Sequence, residues 1–317
     1  MSLSVYTNAL DIQARTFDVM FGSEYGRRVG QAMLDYRQSD DRLATGVDAE
    51  LMQSSMARAL RLGSTFIWSR STCDLLIASA RDMPSYTLVD EHIPSHDGFM
   101  VFEKPLPLGG GVDEWPLTAV SWAAVRGLDT DDPRVIEAAR NGRKIIALDP
   151  DDASGIATLC IWFYLEMDAW GYTPFTYLQW SVGMATEESS FFTSEERTRM
   201  KLQYLGAAFT FMNSHITMQR RNYAPRAVAR RVARSIDATP LVNVIELRRR
   251  EYQTVERTTD EAMSRDYHVQ WIVRGHWRQQ WYPSLGRHQP KWIAPYVKGP
   301  EGKPLKTPRT NVFAVVR

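Results

Sequence analysis

The sequence predicts an α+β protein: a helical N-terminal part, a mostly antiparallel sheet with a long packed helix, and a small, basic, β-rich C-terminal part. Three observations predict it. Apolar residues recur at three- and four-residue spacing through residues 1–82. From residue 84 onward, β-branched and aromatic runs alternate with Gly and Pro punctuation. One long helical period, residues 193–219, then interrupts the strands.

The elements follow in order. "SEYGRRVGQAMLDYRQ" and "DAELMQSSMARALRL" are amphipathic helices, the second with Asp48 as N-cap and Gly63 as stop. "GFMVFEKPLPL" and "LTAVSWAAVR" are strands, and "LGGG" at 108–111 punctuates the gap between them. "RKIIALDPDD" reads as another short strand, the apolar run 155–167 as a buried one, and "FTYLQWSVGMA" follows it. Thr193 and Glu196 form a capping box for the long helix. Leu202, Leu205, Phe209, Met212 and Ile216 form its apolar stripe, with His215 beside the stripe as a structural histidine.

Residues 224–236 form a second helix with Pro225 in its first turn. Arg226, Arg230 and Arg234 recur every four residues on one side; Val228, Val232 and Ile236 lie near the other. "LVNVIELRRR" is a strand, residues 252–266 a polar connector, and residues 268–317 short strands between Gly and Pro turns. Composition divides the chain into an acidic body, 1–237, and a Trp-rich basic domain, 238–317.

The net charge of +1 hides an asymmetry. Residues 1–200 hold 17 Lys and Arg against 29 Asp and Glu, whereas residues 201–317 hold 21 against 8. A basic face attracts polyanions, nucleic acid first among them. Alternatively, the two parts neutralise each other within the chain. Cys73 and Cys160 match neither a disulfide framework nor a zinc pattern, so a reducing cytoplasm is expected. No signal peptide is visible, and the longest apolar run is too short to span a bilayer, so no membrane partner is expected.

Several chemistries lack their residues. His92 and His96 have zinc-helix spacing, but Pro94 between them disfavours a helix. "LGGG" is followed by no Gly-Lys-Ser/Thr. "DTDDPR" at 129–134 lacks the spacing of a calcium loop. No metal and no cofactor are expected.

The distinctive chemistry is C-terminal. Trp271, Trp277, Trp281 and Trp292 account for four of the ten Trp, among Arg274, Arg278, Tyr282, Lys291 and Lys298. Single-stranded RNA asks for this pairing, because bases stack on rings while cations track phosphates. Arg226, Arg230 and Arg234 are further phosphate contacts, or, as a weaker alternative, contacts to an anionic membrane surface. Gly275 lets the backbone turn or a ligand approach. His276 is the candidate catalytic residue of a metal-independent ribonuclease, with His268 and His288 as candidate second acid–base groups. The structural alternative is a β-domain that uses Trp as core. Binding without catalysis is the favoured reading.

"HVQWIVRGHWRQQW" followed by "KWIAPYV" resembles the C-terminal signature of a type V-A anti-CRISPR family of phage and plasmid proteins. Arg274, Gly275, His276, Trp277, Trp281 and Trp292 match it residue by residue. Val273 stands where members often have a second Arg, and Arg278 where a His can occur. The resemblance implies a cytoplasmic host-defence antagonist that suppresses production of a CRISPR effector nuclease. It would recognise the target's emerging N-terminus and trigger loss of the mRNA, so its partners would be RNA, free or ribosome-associated, and a host protein or nascent peptide. The alternatives are an RNA-binding accessory protein of a mobile element and a purely structural or interaction protein.

Overall fold

The computed structural model describes residues 3–38, 46–108, 116–125, 158–167, 171–186, 196–248 and 271–298. The chain forms two compact units, Met1–Leu247 and Arg248–Arg317. The first is a mixed α+β unit. Its helices are α1 (Leu3–Gly22), α2 (Glu24–Gln38), α3 (Gly46–Leu62), α4 (Arg70–Ala80), α5 (Glu196–Met212) and α6 (Arg226–Val232). Its strands are β1 (Ser64–Trp68), β2 (Asp97–Leu106), β3 (Leu117–Val125), β4 (Thr158–Met167), β5 (Gly171–Ser181), β6 (Thr217–Tyr223) and β7 (Leu241–Leu247).

These strands make one seven-stranded sheet in the order β5-β4-β3-β2-β1-β7-β6. Only the pairs flanking β1 are parallel. β3 reads "LTAVSWAAV" and is buried at eight of nine positions because both faces of the sheet are covered. On one face Leu10, Met52, Met56 and Leu60 pack with Ile67, Phe99, Val101 and Trp162. On the other, Trp122 meets Phe66 at 5.6 Å and Phe209 of α5 at 5.5 Å. Trp122 also explains Gly98 on the neighbouring strand: a Cβ there would lie 2.1 Å from the indole.

A polar relay, buried at Gln13, Thr65 and Asn243 and reaching the exposed Gln219, sets the far edge of the sheet. Gln13 Nε2 donates to the carbonyls of Leu60 (3.0 Å) and Gly63 (2.9 Å), while its Oε1 accepts from the Thr65 hydroxyl. Asn243 Nδ2 donates to the Thr65 carbonyl at 3.0 Å, and Asn243 Oδ1 accepts from Gln219 Nε2 at 2.7 Å. Buried polar groups persist when each finds a partner, and this chain of amides fastens α1, β1, β7 and the edge strand β6 together.

Several expectations move. α3 starts at Gly46, so Asp48 lies inside the helix; it does stop before Gly63, whose N–H bonds the Ala59 carbonyl. α5 ends at Met212, four residues before Ile216. The side chains of Asn213 and Ser214 take the carbonyls of Phe209 and Phe211, and Thr217 also bonds Phe211, which closes the helix. His215 is therefore exposed in the turn to β6, not beside a helical stripe. β7 pairs with β1 and β6 inside the large sheet, so the unit boundary falls at 247/248, after a strand that composition grouped with the C-terminal domain. Thr193, the "LGGG" segment apart from Leu108, the "RKIIALDPDD" strand, the acidic run 129–134 and the polar connector lie outside the described residues.

Neither cysteine is in a disulfide and both are buried, and burial pushes the Cys73 thiol up to about 12. The folded protein is therefore expected to resist a thiol-modifying reagent at neutral pH, with both cysteines reacting once denaturant is added. Rapid native-state labelling of Cys73 would contradict this packing.

Candidate nucleic-acid interface

In the second unit the described residues form β8 (Trp271–Val273), β9 (His276–Tyr282), β10 (Arg287–Ile293) and β11 (Tyr296–Lys298). β9 pairs with β10, and β8 with β11, both antiparallel. The two ladders share one register. Tyr282 faces Arg287, His276 faces Ile293, and beyond a two-residue break Val273 faces Tyr296. They are thus one interrupted hairpin. Its turn is Pro283–Gly286, with Leu285 N–H donating to the Tyr282 carbonyl at 3.1 Å. Gly286 has φ +59°, a left-handed conformation that glycine adopts without steric cost.

The break holds Arg274, Gly275, Ala294 and Pro295. Gly275 is there because the Trp292 indole lies over it: a Cβ would meet Trp292 Cζ2 at 2.5 Å and Pro295 Cδ at 3.1 Å. Trp292 is 8% exposed and stands edge-on to Trp277, with centroids 5.2 Å apart. Its ring supports the hairpin and is closed to a stacking base, which removes it from the RNA contacts expected of it.

Strand alternation then sorts the chemistry. Trp277, Gln279 and Trp281 share one face with Trp292, Pro290 and His288; Trp281 meets His288 edge-on at 5.1 Å. His276, Arg278, Gln280 and Tyr282 share the other face with Ile293, Lys291, Gln289 and Arg287. Rings and cations that are neighbours in sequence are thus largely on opposite faces. The exceptions are Tyr282, half-buried opposite Arg287, and Lys298, which is exposed in β11 at the register position of Trp271.

On the cationic face Arg278 stands directly opposite Lys291, both exposed. Like charges at a directly opposed position destabilise a sheet. Residues 271–298 contain no Asp or Glu, so no carboxylate within the hairpin offsets them. Arg274 is exposed at the break, and Arg287, which the sequence reading missed, extends the same charge. The signal for it was the absence of acidic residues across 28 positions.

His276 is exposed, and its Nδ1 lies 3.1 Å from the Arg274 carbonyl oxygen. His288 is on the opposite face, so these two imidazoles do not converge; His268 lies outside the described residues. Among the described residues no cluster of three or more His, Cys, Asp or Glu can hold a metal. His92 instead packs on Tyr86, accepting or donating at Nδ1 over 3.0 Å, and burial lowers its pKa.

Arg226, Arg230 and Arg234 belong to the first unit, on α6 and the turn after it, and all three are exposed. Val232 and Ile236 are buried and Val228 packs against the same core. Arg231, next to the stripe, is clamped to Asp11 by two hydrogen bonds of 2.9 and 2.5 Å, and the Ser235 hydroxyl donates to Asp18 at 2.7 Å. These contacts hold α6 on α1 with the stripe outward. Among the described residues Arg226, Arg230 and Arg234 form no ion pair.

No family model matches the chain, and no curated protein matches it. Among the described residues no helix is long and apolar enough to cross a membrane. Among solved structures the chain is similar to the crystal structure of AcrVA2, with 11% identity, 92% of this chain and 95% of that chain covered, and a TM-score of 0.40.

Proposed function

We propose that this chain is an anti-CRISPR-like host-defence antagonist that lowers expression of its target through RNA, with the C-terminal hairpin as an RNA contact. The observation that carries the RNA reading is the acid-free cationic face with Arg278 opposite Lys291. Folding alone does not favour that pair; a phosphate backbone laid along it turns the local repulsion into charge-assisted hydrogen bonds. The antagonist role rests on the match of Arg274, Gly275, His276, Trp277, Trp281 and Trp292 to the anti-CRISPR signature. In this reading the first unit holds the nascent peptide of the target, and the encoding mRNA is lost.

The hairpin binds and positions RNA; it does not cut it. General acid–base cleavage calls for a proton acceptor and a proton donor on either side of the phosphate. The cationic face offers one imidazole, His276, since His288 faces away.

The test is binding of single-stranded RNA by the purified protein as salt is raised. The logarithm of affinity is expected to fall with a slope of about −0.7 per phosphate contacted. His276→Ala should leave affinity within a few-fold and melting temperature unchanged, because the ring is exposed. Cleavage of RNA by wild type that vanishes in His276→Ala would overturn the binding-only reading. Affinity insensitive to salt would overturn the RNA reading itself. Sequencing the mRNAs and nascent chains that co-purify with the protein tests the antagonist role.

A further inference from the structure

The large sheet has two edges, and they are finished differently. β5 is covered: Thr173, Pro174, Tyr177 and Leu178 are buried. Tyr25 of α2 is hydrogen-bonded to the Thr173 hydroxyl at 3.2 Å, and Lys201 of α5 donates to the Thr176 hydroxyl at 2.8 Å. β6, at the other edge, is open: Met218, Gln219, Arg220 and Arg221 are exposed, and Tyr223 is 74% exposed. Edges are usually blunted by proline, bulges, short strands or charge. β6 runs 7 residues in unbroken register with β7 and contains no proline, so charge alone guards it.

The hydrogen-bond phase of β6 follows from its neighbours. Ala224 N–H donates to the Pro240 carbonyl at 2.9 Å, in step with the β6–β7 ladder. Antiparallel partners alternate between bonded and non-bonded pairs, so Asn222, Arg220 and Met218 also bond inward to β7. Across β7, the Ile245 carbonyl accepts from Ser69 N–H at 3.1 Å, so Ile245 faces β1 and not its partner Gln219. Both observations leave the backbone N–H and C=O of Gln219, Arg221 and Tyr223 aimed out of the sheet. The side chains of the same three residues share the sheet face of Asn243, the register partner of Phe66. Gln219 is committed to Asn243, whereas Arg221 has no ion pair among the described residues. Arg220, on the other face, is bound to Glu246 at 3.0 Å.

We propose that β6 accepts an extended acidic peptide as an added strand, with a carboxylate opposite Arg221 and a β-branched or aromatic side chain opposite Tyr223. The outward backbone groups supply the affinity, and the cross-strand side chains supply the selectivity. The arginines exclude as well as attract. A second copy of this chain offering the same edge would bring its own Arg220 and Arg221 against these two, and the repulsion opposes self-pairing. A nucleic-acid strand has no alternating N–H and C=O row to match the outward one. The occupant is the peptide that the first unit holds in the reading above, and its seat at β6 rests on that reading.

The experiment uses the full chain and a capped octapeptide of alternating valine and glutamate, with a valine–lysine peptide as control. Amide-resolved hydrogen exchange is the readout. In the free protein the amides of Gln219, Arg221 and Tyr223 should exchange fast. The glutamate peptide should slow all three and leave Met218, Arg220 and Asn222, which already bond β7, unchanged. The lysine peptide should protect none of them. Arg221→Glu reverses one cross-strand charge pair, so it should weaken the glutamate peptide about fivefold and let the lysine peptide bind. Arg221→Pro removes one outward N–H at an edge position where proline is tolerated. It should abolish binding while Arg220 and Asn222 keep their protection.

If the glutamate peptide binds but protects other amides, and both variants bind it as wild type does, this edge is refuted and the first unit holds its peptide elsewhere. Equal protection by the lysine peptide would sink the selectivity for acid. Slow exchange at the three amides without peptide, in a protein that is a dimer, would mean that a second copy occupies the edge. Protection by a uridine oligonucleotide and not by the peptide would reassign the row to nucleic acid. No binding of the glutamate peptide at millimolar concentration refutes the added strand by itself, and the co-purifying nascent chains then decide the peptide-holding reading.

Discussion

Arg278→Glu is expected to stabilise the C-terminal hairpin while weakening RNA binding by about ten- to a hundredfold, the loss that follows from one charge-assisted hydrogen bond. The two effects have opposite signs for one reason. Position 278 faces Lys291. Glutamate there replaces a repulsive cross-strand pair by an attractive one, a change of about 0.2–1 kcal/mol in favour of the fold. The same carboxylate removes one phosphate contact and repels the next phosphate. Lys291→Glu should behave alike by symmetry. The double variant restores a like-charge pair, now negative, so its stability should fall back while its RNA binding is lost. Hydrogen exchange across residues 276–293 measures the first effect, and oligonucleotide titration at several salt concentrations the second. Loss of protection and binding together in Arg278→Glu would mean that Arg278 serves the fold. Unchanged binding would mean that RNA does not use this face.

Gly275→Ala is expected to dismantle the hairpin. The new methyl would sit 2.5 Å from Trp292, whose ring is buried and already set against Trp277 at 5.2 Å. Overpacking of this kind costs about 1–3 kcal/mol. A two-stranded hairpin has little stability to spare. Protection of β9 and β10 should therefore disappear and RNA affinity should collapse, while the melting of the first unit stays as it was. Trp292→Phe in the same background frees space over position 275 and should restore part of the protection. Full protection in Gly275→Ala alone would show that the indole does not lie where it is placed.

Much of the architecture was legible from residue order. The α+β class, β2, β3, β5 and the apolar run that becomes β4 all follow from period and residue type, which act over a few neighbours. The exposed stripe of Arg226, Arg230 and Arg234 followed from helical spacing. Other features depended on which side chains reach which carbonyls. α5 stops at Met212 because Asn213, Ser214 and Thr217 take its last carbonyls, and that put His215 in a turn. β7 joined the large sheet because its partners β1 and β6 were there, a pairing that charge composition does not encode.

The C-terminal segment shows the division most sharply. Its sequence by itself determined that this region is cationic, free of acidic residues from 271 to 298, rich in Trp and punctuated by Gly and Pro. It could not say which rings and charges share a surface, because that depends on register, and a shift of one residue would exchange the faces. Tertiary pairing decided it: Trp277, Trp281 and Trp292 went to one side and Arg278, Arg287 and Lys291 to the other. It also gave Gly275 its reason, the indole of a residue 17 positions away in sequence.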